Sequence, residues 1–118
     1  MGKIIDLSIL EKEPLIFKGL DGEKYTIPGN ISTKFTIKLT HYQQQMQKIK
    51  KDEEALEKIK ELVVDILNLD KSKNVDMEYL DKHFDDIRVL KLIIQKMIEH
   101  IQEITADPNS NSLESTEV

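Results

Sequence analysis

Apolar and polar positions alternate over residues 4–10, Ile-Ile-Asp-Leu-Ser-Ile-Leu, with Ile5, Leu7 and Ile9 set against Asp6 and Ser8. A period of two predicts a half-buried strand. Two further apolar runs, Leu15-Ile16-Phe17 and Tyr25-Thr26-Ile27, flank Gly19-Leu20-Asp21-Gly22. The Asp-Gly pair supplies the positive φ values of a tight hairpin turn. Pro28-Gly29-Asn30 then ends the ladder, because proline lacks an amide donor.

From Phe35 onward the period changes. Phe35, Leu39, Tyr42, Met46 and Ile49 follow a 4-3-4-3 spacing, one narrow stripe on a helix that Ser32 or Thr33 caps. Phe35, Ile37 and Leu39 also alternate, so an extension of the sheet through them stays open. Asp52-Glu53-Glu54 opens a second helix with acids where the helix dipole favours them. Leu56, Ile59, Val63, Ile66 and Leu67 form its buried face, and it ends near Leu69. After a polar loop at residues 70–74, Asp76 caps a short helix carrying Met77, Leu80 and Phe84, and Asp85 or Asp86 caps the last helix. There Ile87, Leu90, Ile94, Met97, Ile101 and Ile104 keep a 3-4-3-4-3 step, widened by Ile93 and Ile98.

This order predicts an α+β fold, a short N-terminal antiparallel hairpin or three-stranded sheet followed by three to four helices. Residues 1–104 read as one domain, with a β-rich part at 1–31 and a helical part at 32–104. The polar stretch 105–118 reads as a disordered tail. The expected core comprises Phe17, Tyr25, Ile27, Leu39, Leu56, Ile59, Val63, Ile66, Leu80, Leu90, Ile94, Met97 and Ile101.

Composition narrows the function classes. Among 118 residues there are 3 Phe, 3 Tyr and no Trp, so the core must be mostly aliphatic. With no cysteine there is no disulfide, no Cys-ligated metal and no thiol nucleophile. No apolar run approaches the ~20 residues of a membrane span, and the start lacks a signal-peptide pattern. A cytoplasmic protein is the expectation. The net charge of −5 argues against a general phosphate-backbone binder. Lys34, Lys38, Lys48, Lys50 and Lys51 make the first helix basic, but Arg88 is the single arginine, and arginine is the main bidentate base reader. Nucleic acid is therefore not the expected partner. Residues 1–51 carry nine lysines and five acids, net +4, whereas residues 52–118 carry eight basic and seventeen acidic residues, net −9. Such halves neutralise each other within one fold or meet head to tail between copies.

Motifs for chemistry are missing. His41, His83 and His100 are never four residues apart, so no helical two-histidine metal site exists. His100 falls at the edge of the apolar stripe of the last helix, where an amphipathic packing role is expected. Residues 70–78, Asp-Lys-Ser-Lys-Asn-Val-Asp-Met-Glu, place oxygen side chains as a calcium loop does. The sixth position is Val75 where the turn needs glycine, and the twelfth is Asp81 where a bidentate glutamate belongs. No Gly-rich phosphate loop and no Gly-x-Ser-x-Gly elbow occur. The expectation is a non-enzyme with no cofactor, metal or catalytic residue. At 100° per residue, Ile37 lies opposite the first stripe, Val64 off the second, and Val89 and Leu92 outside the last. These four are the candidate partner-binding residues.

The element order, with Ile27-Pro28-Gly29-Asn30-Ile31-Ser32-Thr33 before a Gln/Lys helix, resembles one family in size and layout. Leu67-Asn68-Leu69-Asp70 joins two acid-started helices, Phe84-Asp85-Asp86-Ile87 leads into the last, and Asp107-Pro108-Asn109-Ser110 opens the tail. The whole resembles the small tail assembly chaperones of long-tailed phages and prophages of Gram-positive bacteria. That resemblance implies a non-enzymatic protein of the bacterial host cytoplasm. It would bind the tape-measure protein, keep its apolar helices soluble, recruit tail-tube subunits and self-associate. The alternative is a small helical adaptor or regulatory domain that binds one protein partner.

Overall fold

The computed structural model describes residues 2–10 and 12–105. A two-stranded antiparallel sheet, β1 (Leu15–Lys18) and β2 (Lys24–Ile27), precedes four helices: α1 (Thr33–Lys48), α2 (Asp52–Leu67), α3 (Met77–His83) and α4 (Ile87–Thr105). The fold is α+β, as the hydrophobic pattern predicts. In the hairpin Leu15 stands opposite Ile27, Ile16 opposite Thr26, Phe17 opposite Tyr25 and Lys18 opposite Lys24. The turn closes by a bond from the Gly22 amide to the Gly19 carbonyl (3.0 Å). Among the described residues only Gly22 takes a positive φ, +84°, so the turn needs one left-handed residue and not a pair.

The expected strand at residues 4–10 is not formed. Leu7–Leu10 is a single 3-10 turn, and Ile4, Ile5 and Leu7 are 96%, 74% and 73% exposed. The reason is local. The Asp6 carboxylate accepts bonds from the Ser8 amide (3.0 Å) and hydroxyl (2.6 Å), and such side-chain bonds compete with a ladder.

Three of the four helices start on a side-chain cap, and α2 instead opens on Asp52, Glu53 and Glu54 behind Lys51, which makes no cap bond. The Ser32 hydroxyl accepts the Phe35 amide (3.1 Å) and Asp76 accepts the Tyr79 amide (2.7 Å). Asp86 accepts the Arg88 amide (2.9 Å), while its carbonyl takes the Leu90 amide. The Arg88 guanidinium beside it holds the Asp86 carboxyl down at about 2. Helix, not sheet, resolves the ambiguity at Phe35, Ile37 and Leu39, since α1 buries Phe35 and Leu39 and leaves Ile37 outside. Helix α2 ends at Leu67, two residues before the expected stop, and Asn68 clasps both backbone groups of Val75 (2.7 and 2.8 Å) to close the loop that follows.

Helix α2 is the central element, packing against α1, α3, α4 and β2. Tyr25, Ile27, Val63, Ile66, Leu67, Leu80 and Met97 are essentially inaccessible, and Leu62, Val75, Phe84 and Ile93 complete a core that the stripe residues alone do not list. Each such aliphatic side chain contributes about 1.5–3 kcal/mol. Three expectations need correction. Leu56 is 39% exposed and Ile87 42% exposed, because the first turns of α2 and α4 diverge around an open hollow lined by Ala55, Leu56, Ile59 and Ile87. Phe17 is only half-buried, because it lies in β1, the outer strand of the hairpin. Helix α4 also runs through Thr105, where the tail was expected to begin. The tail residues 106–118 and the side chain of Ile104 lie outside the described residues.

Candidate protein-binding groove

Three sets of polar contacts pin the hairpin to the helices. At the turn, Asp21 Oδ2 accepts bonds from the Tyr79 hydroxyl (2.6 Å) and the Tyr25 hydroxyl (2.9 Å), and the two hydroxyls lie 2.7 Å apart. Burial pushes the Asp21 carboxyl up, but the Tyr79 hydroxyl, the Glu23 amide and the Tyr25 hydroxyl outweigh it and hold the group below its ordinary value. Burial also drives the Tyr25 phenol well above its usual range. At mid-strand, Asp70 Oδ2 accepts the outward-facing Thr26 amide (2.8 Å), while Oδ1 accepts the Ser72 amide (2.9 Å) and hydroxyl (2.6 Å). The Ser72 hydroxyl first, then the two amides, keep Asp70 ionised below the usual aspartate range. At the base, buried His100 donates Nε2–H to the Pro28 carbonyl (3.1 Å), since a carbonyl only accepts.

In the calcium-like loop the carboxylate of Asp70 accepts bonds from Thr26 and Ser72, and Oδ1 of Asp76 accepts the cap bond of α3. Among the described residues no cluster of three or more metal-ligating side chains occurs, and no buried side-chain nitrogen or oxygen lacks a partner.

A groove of about 530 Å3 lies between α1 and α2. A three-residue link at 49–51 forces the two helices to be antiparallel neighbours. The α1 stripe is narrow, so it covers only part of the facing surface of α2, and the groove opens beside that contact. Phe35, Tyr42, Leu62 and Leu69 line the floor and Ile37, 51% exposed, stands on the wall. Around them lie Lys34, Lys38, His41 and Lys58 with Glu61 and Asp65. Lys38 and Asp65 bridge the two helices at 2.9 Å. Burial pushes the Tyr42 phenol up, leaving its hydroxyl a neutral donor at the edge of an apolar floor.

The four candidate residues part company here. Ile37 belongs to the groove, whereas Leu92, 50% exposed, stands on α4 away from it. Val64 and Val89 pack against the core as half-buried residues and are not free surface. The wheel alone missed Phe35, Tyr42, Leu62 and Leu69 as groove residues: Phe35 and Tyr42 satisfy the core stripe of α1, while Leu62 and Leu69 fall outside the face assigned to α2. Leu56 and Ile87 form a second apolar exposure that the pattern assigned to the core. Comparison with known protein families, curated proteins and solved structures finds no match to this chain. No helix among the described residues is long and apolar enough to cross a membrane.

Proposed function

We propose that this chain is a non-enzymatic tail assembly chaperone of long-tailed phages, which self-associates and shields apolar helices of a tape-measure protein while tail-tube subunits assemble. The observation that carries this reading is the α1–α2 groove. It has an aromatic and aliphatic floor, a free isoleucine on its wall and charges of both signs around it. An amphipathic helix lays its apolar face into such a groove and its polar flanks against the rim. The layout of hairpin and four helices supports the family resemblance, and the exposed Leu56, Ile87 and Leu92 supply further apolar contact. Assembly in the bacterial cytoplasm follows from the same reading.

A fluorescently labelled helical segment of a candidate tape-measure protein, titrated with the full chain, tests it. Saturable binding weakened at least tenfold by Ile37→Asp, about 1.4 kcal/mol, is the expected result. No binding, or binding indifferent to Ile37→Asp, overturns the groove as the client site. Binding by a strict one-to-one monomer would replace the chaperone with an adaptor.

A further inference from the structure

We propose that the N-terminal arm of one copy adds as a strand to the open β1 edge of a second copy. This deepens the self-association above and rests on that reading, but its evidence is local. In an antiparallel pair, residues that exchange both backbone bonds alternate with residues that exchange none. Gly19 donates to Glu23 across the turn (2.8 Å), so by steps of two Phe17–Tyr25 and Leu15–Ile27 are the bonded pairs. Ile16, Lys18 and Thr26 therefore turn their amides and carbonyls outward. On the β2 side the Thr26 amide is taken by Asp70. On the β1 side, the backbone groups of Ile16 and Lys18 have no partner among the described residues.

A two-stranded hairpin with an unpaired edge is a template for another strand. The chain carries an unused one. Residues 4–8 have the alternation of a strand, yet Ile4, Ile5 and Leu7 are the most exposed large apolar residues described. The 3-10 turn that follows Asp6 is one turn long and easily opened.

Charge chooses the occupant. Lys18 and Lys24 stand directly opposite each other on the outer face of the hairpin, and neither has an ion-pair partner among the described residues. Like charges at such a site are destabilising. An arm laid beside β1 with Asp6 on this face sets the acid near Lys18 and, because a strand alternates, turns Ile5 and Leu7 to the opposite face beside Leu15 and Phe17, while edge lysines repel strands that lack an acid. Because arm and edge are different surfaces, the contact is heterologous and propagates from copy to copy.

Light scattering coupled to size exclusion, over a hundredfold concentration range, tests this with the full chain and two variants. Ile16→Pro removes an amide that faces away from β2, a position where proline is tolerated in an edge strand. Deletion of residues 2–8 removes side chains that pack on nothing in the core. The full chain is expected to grow beyond a dimer and each variant to remain monomeric with a cooperative melt. An equimolar mixture should stop at a heterodimer, one variant giving the arm and the other the edge. Growth unchanged in both variants overturns strand addition and leaves self-association standing on another surface. A full chain that is monomeric throughout overturns both, and the client titration with the arm-deleted variant judges the groove separately.

Discussion

Helices α1 and α4 carry the same 3-4 spacing of apolar residues and are put to different uses. Along α4 the stripe is two residues wide at Ile93 and Ile94, and Leu90, Ile93, Ile94, Met97 and Ile101 are all sealed in the core. Along α1 it is one residue wide. Only Phe35 and Leu39 are buried, and Tyr42 and Met46 are half covered. The width of an apolar stripe sets how many neighbours a helix can satisfy. Both helices pack on α2, α4 more extensively than α1, and the narrower contact leaves the groove open.

The contrast is most sharply broken by charge. Ile94→Asp places a carboxylate among aliphatic side chains with no partner and should cost more than about 4 kcal/mol, leaving no cooperative melt. The same change at Ile37 should move stability by no more than about 0.5 kcal/mol. A thermal melt of each decides, and comparable losses would erase the difference between the two helices.

A second test concerns what holds the hairpin against the helices. Asp70→Ala removes three hydrogen bonds and strands the Thr26 amide, a loss of about 3 kcal/mol readable by urea titration. Asp70 and Asp21 are both held below the ordinary aspartate value of 3.8 when folded. Their stabilisation is complete above that value and is lost as pH drops below it, through the lowered folded values. Asp70→Ala should therefore flatten part of the acid limb of the stability curve. An unchanged acid limb would assign that limb to other carboxylates.

The smallest effects separate two residues three apart on α4. Val89→Lys should cost about 1–2 kcal/mol, because the side chain rests on the core. Leu92→Lys should stay within about 0.5 kcal/mol, since half of that side chain already faces water. Equal melting temperatures would mean that Val89 is as free as the helical wheel implied.

The legible parts of this fold are those written locally. The hairpin, the stripe of α4 and the caps Ser32, Asp76 and Asp86 can each be read within a few residues. The strand assigned to residues 4–10 failed because alternation predicts only what a segment does once it finds a partner. Leu56 and Ile87 were misjudged because periodicity assigns a face and is silent about where the neighbouring helix ends. Of the groove, only Ile37 was legible, as a residue on the wrong side of its stripe. The contacts Asp21–Tyr79, Asp70–Thr26 and His100–Pro28 span 58, 44 and 72 positions, and no local pattern announces a pair so distant.

Those spans also bear on synthesis. The hairpin leaves the ribosome before the groups that hold it by hydrogen bonds, Asp70, then Tyr79 and finally His100. An isolated two-stranded hairpin is marginal in water. The hairpin therefore stays loosely formed until most of α4 has been translated.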